Sequence, residues 1–289
     1  MSPPIVDAHQ HFWDPDDGDY GWLSGPCAPI RRIWAPADLA PELAASGVTA
    51  TVLVQTWSSV EETRRFLRLA EATDFVAGVV GWVDLTDPDV AAVIAGLKAG
   101  PGGRFLVGIR HQVHDEADPD WLDRDDVRRG LAAVAAHGLV YDLLVRSREL
   151  PAALRAVEGV PDLRFVVDHA AKPDIRGHAF VPWAERLAPL AVHRDRVWVK
   201  LSGMVTEADW AHWTLADLAP FVAEVLGRFG SDRAVFGSDW PVCELAGGHR
   251  RWFDALGTIL SPLPPADRAL IFGGNAIALY RLDLPEIPA

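Results

Sequence analysis

Cysteine is nearly absent from this chain: only Cys27 and Cys243 occur among 289 residues. Two cysteines in unlike contexts support neither a disulfide framework nor a cysteine-ligated metal site. Long apolar runs are missing too. No stretch reaches the roughly 18 residues a membrane-spanning helix requires, so no membrane partner is expected. The first residues lack the basic segment followed by an apolar one that marks a secretory leader, and a cytoplasmic location is the expectation. Positive charge is scarce, with 27 Lys and Arg against 40 Asp and Glu and a formal net charge of −13. That balance argues against nucleic acid or an anionic membrane surface as a partner, but leaves the sign of a local pocket open. No Gly-x-Gly-x-x-Gly follows the first β-like run, which disfavours a dinucleotide fold, and no solenoid-length repeat occurs.

What is present is a large apolar fraction, 49% of residues, arranged in alternation. Apolar or β-branched runs fall at 4–8, 50–54, 75–83, 105–109, 139–145, 164–168, 197–201 and 234–237. Amphipathic helical stretches fall between them at 60–72, 89–98, 127–137, 150–157, 183–193, 215–229 and 250–260. Many of the runs are apolar on both faces, as covered parallel strands should be. Eight strands alternating with helices over this length predict an α/β fold, a single (β/α)8 TIM barrel forming one domain over 1–289. Residues 12–36, rich in Asp, Gly, Pro and Trp, read as a long first loop.

A barrel gathers its functional groups at the C-terminal ends of its strands. The first strand carries Ile5-Val6-Asp7-Ala8-His9-Gln10-His11, where alternation places His9 and His11 on one face. Two imidazoles so held suit a divalent metal or a substrate oxygen; capping of the strand end is the plainer alternative. Later strand ends bring Gln55 and Trp57, Arg110 and His111, Tyr141 and Asp142, His169, Lys200 and Ser202, and Asp239 with Trp240. Asp239 could also be a helix N-cap, and His169 a core histidine. Arg110 and His111 could form an inter-strand ion pair, and His114 a solvated loop pair with Asp115 or Glu116. His137, His178, His193, His212 and His249 read as surface residues.

Taken together, His9-x-His11, Val167-Asp168-His169-x-x-Lys172-Pro173 and Phe236-Gly237-Ser238-Asp239-Trp240-Pro241 resemble the amidohydrolase superfamily. The chain is most similar to the branch of sugar and pyrone-dicarboxylate lactonases. Tyr141-Asp142-Leu143-Leu144-Val145, Val199-Lys200-Leu201-Ser202-Gly203 and Gly274-Asn275-Ala276 support the resemblance, which spans roughly 5 to 280. Many superfamily members bridge two metals at the end of the fourth strand with a carbamylated lysine or a glutamate. Arg110 and His111 stand there instead, so a bridged two-metal centre is not expected. The resemblance leaves His9, His11, His169 and Asp239 as ligands for one Zn²⁺ or Mn²⁺ ion; a metal-free site made of the same residues is equally consistent.

The implied reaction is hydrolysis of a sugar-acid lactone such as an L-fucono-, L-rhamnono- or galactonolactone, with a small-molecule lactone as partner. Asp239 would act as general base, and His9, His11 and His169 would serve the metal or the oxyanion. Arg110, His111, Trp57, Tyr141, Trp240 and Lys172 are the candidate substrate contacts. Two alternatives stand beside this: a carboxylated lactone met by Arg31, Arg32 and Arg110, or an aromatic or enoic acid decarboxylase on the same barrel. The decarboxylase is disfavoured because Gln10 and Phe12 do not supply the further acidic signals expected near its first strand. A binding protein with a decayed site is disfavoured by the intact set of four. Oligomeric state is not legible, and homo-oligomerisation stays open.

Overall fold

The computed structural model describes residues 3–284, so residues 1–2 and 285–289 of the expected domain lie outside the described residues. Eight parallel strands form one sheet in sequential order. They are β1 (Val6–Gln10), β2 (Ala50–Val54), β3 (Val76–Gly81), β4 (Leu106–His111), β5 (Val140–Leu143), β6 (Arg164–Val167), β7 (Val197–Leu201) and β8 (Ala234–Phe236). A parallel bridge between Gln10 and Trp240 brings the end of β8 back beside β1 and nearly closes the barrel. The outer helices follow their strands: α1 (Pro36–Ser46), α2 (Val60–Glu71), α3 (Val90–Ala99), α4 (Asp125–Ala136), α5 (Leu150–Gly159), α6 (Phe180–Leu187), α7 (Leu215–Phe229) and α8 (Gly248–Ile259). Two short helices complete the chain, α9 (Pro265–Ala269) and α10 (Asn275–Tyr280). The result is the (β/α)8 barrel that the alternation predicts. Among the described residues no helix is long and apolar enough to cross a membrane.

Helix boundaries depart from the sequence reading where proline intervenes. α1 was not anticipated, since it carries Pro36 and Pro41, yet Pro36 sits in the first turn where no amide partner is lost. The stretch expected as one helix over 183–193 is α6 followed by a 3-10 segment, Ala188–His193, with Pro189 in its first turn. Elsewhere local chemistry fixes the starts: Ser59 accepts the amides of Glu61 and Glu62 to cap α2, and Thr214 with Asp217 forms a capping box on α7.

Strand alternation divides the core into two shells. Val6, Ala8, Val52, Val54, Val80, Val140, Val166, Trp198 and Val235 pack together inside the barrel, closed below by Ala276, Leu279 and Tyr280 of α10. The intervening residues, such as Leu53, Val79, Ile109, Tyr141, Phe165 and Val199, pack outward against the helices. Two positions beyond the interior aliphatics stand Asp142, Asp168 and Lys200, all fully buried. A charged layer thus lies directly on an aliphatic one.

β1 breaks the alternation once. It pairs with β2 as Val6–Ala50 and Asp7–Thr51, then as Gln10–Leu53, so three steps on β1 match two on β2. This bulge lets both Ala8 and His9 face inward, while Asp7 lies against His249 of α8. Alternation correctly pairs His9 with His11, but it would have wrongly grouped Asp7 with them.

Candidate active site

His9, His11, His169 and Asp239 meet at the C-terminal mouth, all buried. Oδ1 of Asp239 lies 3.3 Å from Nε2 of His11 and 3.8 Å from Nε2 of both His9 and His169. Nε2 of His9 is 3.2 Å from Nε2 of His11. Nδ1 of His11 lies 2.8 Å from the carbonyl oxygen of Val54 and can only donate to it. A neutral His11 therefore presents a lone pair, not a proton, at Nε2. Its contact with the Asp239 carboxylate is then acceptor against acceptor, and a cation or proton between them is required.

That requirement tests the metal reading on the geometry. His9, His169 and Asp239 place one ligand atom each within 4.8 Å of one another, and Nε2 of His11 adjoins them. Bonds of about 2.1 Å in a tetrahedral set put neighbouring ligand atoms about 3.4 Å apart, which the 3.2–3.8 Å spacings bracket. Three imidazoles and one carboxylate are also a donor set suited to zinc. His9, His169 and Asp239 fit one divalent ion, and His11 adjoins them through His9 and Asp239.

Protonation follows from burial. Desolvation pushes His9 well below the usual imidazole value and His169 down to about 4, so both are neutral at physiological pH. Burial opposes ionisation of Asp239, but the surrounding imidazoles of His169, His11 and His9 outweigh it and hold the carboxyl below its ordinary range. It is a carboxylate under working conditions.

Beneath the four lies the charged layer. Nζ of Lys200 is 2.6 Å from Asp142, 3.0 Å from Asp168 and 3.1 Å from Nδ1 of His9. Nη1 of Arg110 donates to Oδ2 of Asp168 at 3.1 Å, lies 3.1 Å from Nε2 of His9, and Nη2 donates to the Gln55 carbonyl. Tyr280 of α10 donates to Asp142 from below at 2.8 Å. Burial works to raise Asp168, yet Lys200, His9 and Arg110 together hold it well below the carboxylate range. Burial raises Asp142 to about 6 against the pull of Lys200. Lys200 thus supports His9.

The loops carrying His169 and Asp239 are wound in the left-handed region. His169, Ala170, Ala171 and Lys172 have φ of 53°, 49°, 60° and 48°, and Asp239 has 59°. Left-handed backbone costs an L-residue about 1–2 kcal/mol, so a run of four persists only if the surroundings hold it. Nε1 of Trp183 donates to the Ala170 carbonyl at 2.6 Å, and Nδ1 of His169 lies 2.8 Å from Oγ of Ser202. Gly203, itself at φ 60°, leaves the gap they need: a Cβ there would sit 2.5 Å from Nδ1 of His169 and 3.1 Å from Oδ2 of Asp239.

The mouth opens into a cleft of about 790 Å³ of empty space, part of it open to solvent. Of the expected substrate contacts, Arg110 and Lys172 line it together with His11, His169 and Asp239. Trp57 and His111 line a neighbouring depression instead, where His111 stacks on Trp121 and bonds Glu116 at 2.8 Å and Trp82 at 2.9 Å. The structure does not bring Tyr141 or Trp240 to the cleft. Tyr141 is fully buried on the outer face of β5 against Phe165, and Trp240 packs edge-on against Phe12 and Trp34. Their aromatic bulk is used for packing.

Sequence reasoning passed over Trp22, Thr56, Gln112, His114 and Asp115 as cleft residues. His114 does pair with Asp115, Nε2 to Oδ1 at 3.3 Å, but it is largely buried rather than solvated: burial drives it down to about 2, and its Nδ1 has no partner. No local pattern marks it, because a 3-10 turn, Val113–Asp115, rather than the strand aims it. Asp168 was legible in principle, standing two residues after the interior Val166.

The amidohydrolase family matches residues 6–282 of the chain. An L-fucono-1,5-lactonase from Burkholderia ambifaria is 43% identical over 285 residues, 97% of each protein. One of the same name from Burkholderia multivorans is 36% identical over 298 residues, again 97% of each. The crystal structure of an amidohydrolase from Burkholderia multivorans with bound zinc superposes with a TM-score of 0.91 at 35% identity, covering 97% of this chain and all of that one.

Proposed function

The chain belongs to the amidohydrolase family, and on that footing we propose that it hydrolyses the ring ester of a neutral sugar-acid lactone of the L-fuconolactone type. The convergence of His9, His11, His169 and Asp239 at the cleft floor carries the reading. Similarity to two L-fucono-1,5-lactonases supplies the substrate class.

Charge in the cleft supports a neutral lactone over a carboxylated one. Its two non-histidine cations are already engaged: Arg110 with Asp168, and Lys172 with Glu207 at 3.0 Å. Arg32 pairs with Asp38 and lies over Trp34, and Arg31 reaches the Tyr20 carbonyl, both away from the cleft lining. A dicarboxylate would have to break these pairs, whereas hydroxyls can be met by Gln112, His114, Asp115 and Thr56.

Asp239, ionised and at the cleft floor, takes the proton of the attacking water and returns it to the departing ring oxygen. Held by His9, His11, His169 and Asp239, one divalent ion supplies Lewis-acid polarisation of the ester carbonyl when bound. A neutral His11 cannot donate a hydrogen bond from Nε2 while its Nδ1 serves Val54, so a metal-free version would need His11 protonated between Val54 and Asp239. Burial keeps His9 neutral, the charged layer fixes it in place, and Arg110 carries its charge to the cleft wall.

A pH-indicator assay with L-fucono-1,5-lactone, L-rhamnono- and galactonolactones and 2-pyrone-4,6-dicarboxylate tests the proposal, with and without Zn²⁺ or Mn²⁺. Acid release above background on a neutral sugar lactone, lost in Asp239→Asn, is expected. Activity on the dicarboxylate alone, or on none of the panel, would overturn it.

A further inference from the structure

We propose that Asp7 and His249 form a positioning pair that sets the relation between His9 and Asp239 from outside the barrel. The mechanism uses neither residue, yet both are buried, Asp7 completely and His249 with 1% of its surface exposed.

The observation is a single carboxylate oxygen shared by two strand ends. Oδ1 of Asp7 accepts the amide of His9 at 3.1 Å and the amide of Ser238 at 2.8 Å. His9 lies with Ala8 in the bulge of the β1–β2 ladder, and Ser238 immediately precedes Asp239. The seam between β8 and β1 is otherwise thin. It holds Asp239 N–H to the His9 carbonyl at 2.8 Å, His11 N–H to the Trp240 carbonyl at 2.7 Å, and a long contact from Ser238 Oγ. Backbones approach so closely there that a Cβ on Gly237 would fall 2.7 Å from Cβ of His9. At this point the Asp7 side chain supplements a single parallel bridge, Gln10 to Trp240, in place of a longer ladder.

The other oxygen of Asp7 faces α8. Oδ2 lies 3.5 Å from Nε2 of His249, an ion-pair contact longer than a good hydrogen bond, and neither atom has a hydrogen-bond partner elsewhere among the described residues. Nδ1 of His249 lies 3.3 Å from Oγ of Ser46 in α1. Burying such a pair costs several kcal/mol in desolvation, which plain apolar packing would avoid. What the pair provides is direction: helices α1 and α8 orient the imidazole, the imidazole orients the carboxylate, and the carboxylate orients two backbone amides. The His9 side chain hangs from one of those residues and Asp239 directly follows the other, and errors of a few tenths of an ångström there matter to ligand geometry.

Three readouts test this in Asp7→Ala, Asp7→Asn, His249→Phe and His249→Gln. They are zinc affinity by competition with a chromophoric chelator, the kcat and KM of lactone hydrolysis, and the ring ¹⁵N resonances of His9, identified by their loss in His9→Gln. Asp7→Ala and His249→Phe should weaken zinc binding and lower kcat by roughly 10- to 100-fold, with KM within about threefold, and shift the His9 resonances. His249→Gln, which retains a donor, should recover most of each effect. Val222→Ala, a cavity in α7, should lower stability and move none of the three.

Folded Asp7→Ala or His249→Phe matching wild type in all three would overturn the inference. So would Val222→Ala moving them as far. If Asp7→Ala does not fold, Asp7→Asn and His249→Phe decide. The kinetic arm rests on the lactonase reading; a wild type without lactonase activity or zinc uptake would refute that reading, while the His9 resonances still judge the clamp.

Discussion

Replacing Lys200 by methionine removes the one cation, among the described residues, within 3.0 Å of both Asp142 and Asp168, in a layer with no access to solvent. At an effective dielectric near 20, contacts of 2.6 and 3.0 Å are worth about 6 and 5 kcal/mol gross. Desolvation offsets much of this, and breaking one side of a buried pair typically costs about 3–5 kcal/mol net. The variant has an escape, because Asp142 already titrates at about 6 and takes up a proton once its cation is gone. Above that pH the variant's folded state holds one proton more than wild type, while both unfolded chains hold none. Its stability therefore falls by about 1.4 kcal/mol per pH unit relative to wild type, until its own Asp142 ionises. The deficit should grow by roughly 2–3 kcal/mol between pH 6 and pH 8. Urea unfolding followed by far-UV circular dichroism at pH 6, 7 and 8 measures it. A deficit independent of pH, or one below about 1 kcal/mol throughout, would refute the account of the charged layer.

Three further outcomes are expected. Asp239→Asn should lower kcat by about 10³-fold or more with the fold intact, because it removes both the base and a charged ligand; steady-state kinetics beside a melting curve would show it. Gly203→Ala should displace the His169 ring and reduce kcat by over roughly 100-fold, whereas Gly227→Ala, where an added methyl meets nothing, should raise stability by about 0.5–1 kcal/mol with activity unchanged. Glu62 is buried and raised by desolvation to about 7, so it favours the fold fully only below its unfolded value near 4.5, and that contribution disappears as pH climbs through 7. The melting temperature of Glu62→Gln relative to wild type should therefore improve between pH 5 and pH 8, and a constant difference would count against this.

Much of the architecture was legible because parallel strands buried on both faces leave apolar runs that nothing else in the chain imitates. His9, His11, His169 and Asp239 could be nominated because each follows such a run, and the structure brings the four together. Trp240 occupies the same kind of position but lies under Trp34, whereas Tyr141 is the second residue of β5 and points outward from it. A strand end tells which level a residue occupies, not which way it faces. The β1 bulge shows why facing is hard to foresee: one extra residue reverses the parity, and only the pairing with β2 reveals it. His249 and His114 were misplaced for a related reason, since the burial of each is decided by elements distant in sequence.

The hydroxyl of Tyr280 has a consequence for the order in which this chain can become active. It reaches Asp142 from a helix that begins at residue 275, beneath a barrel whose strands end at residue 236. All eight strands are therefore synthesised before Tyr280, the donor that reaches the charged layer from below. In the interval Asp142 has Lys200 but lacks its second partner, and the hold on His9 from below is incomplete. The last turn of helix, at the end of the barrel opposite the mouth, is the part whose arrival finishes the site.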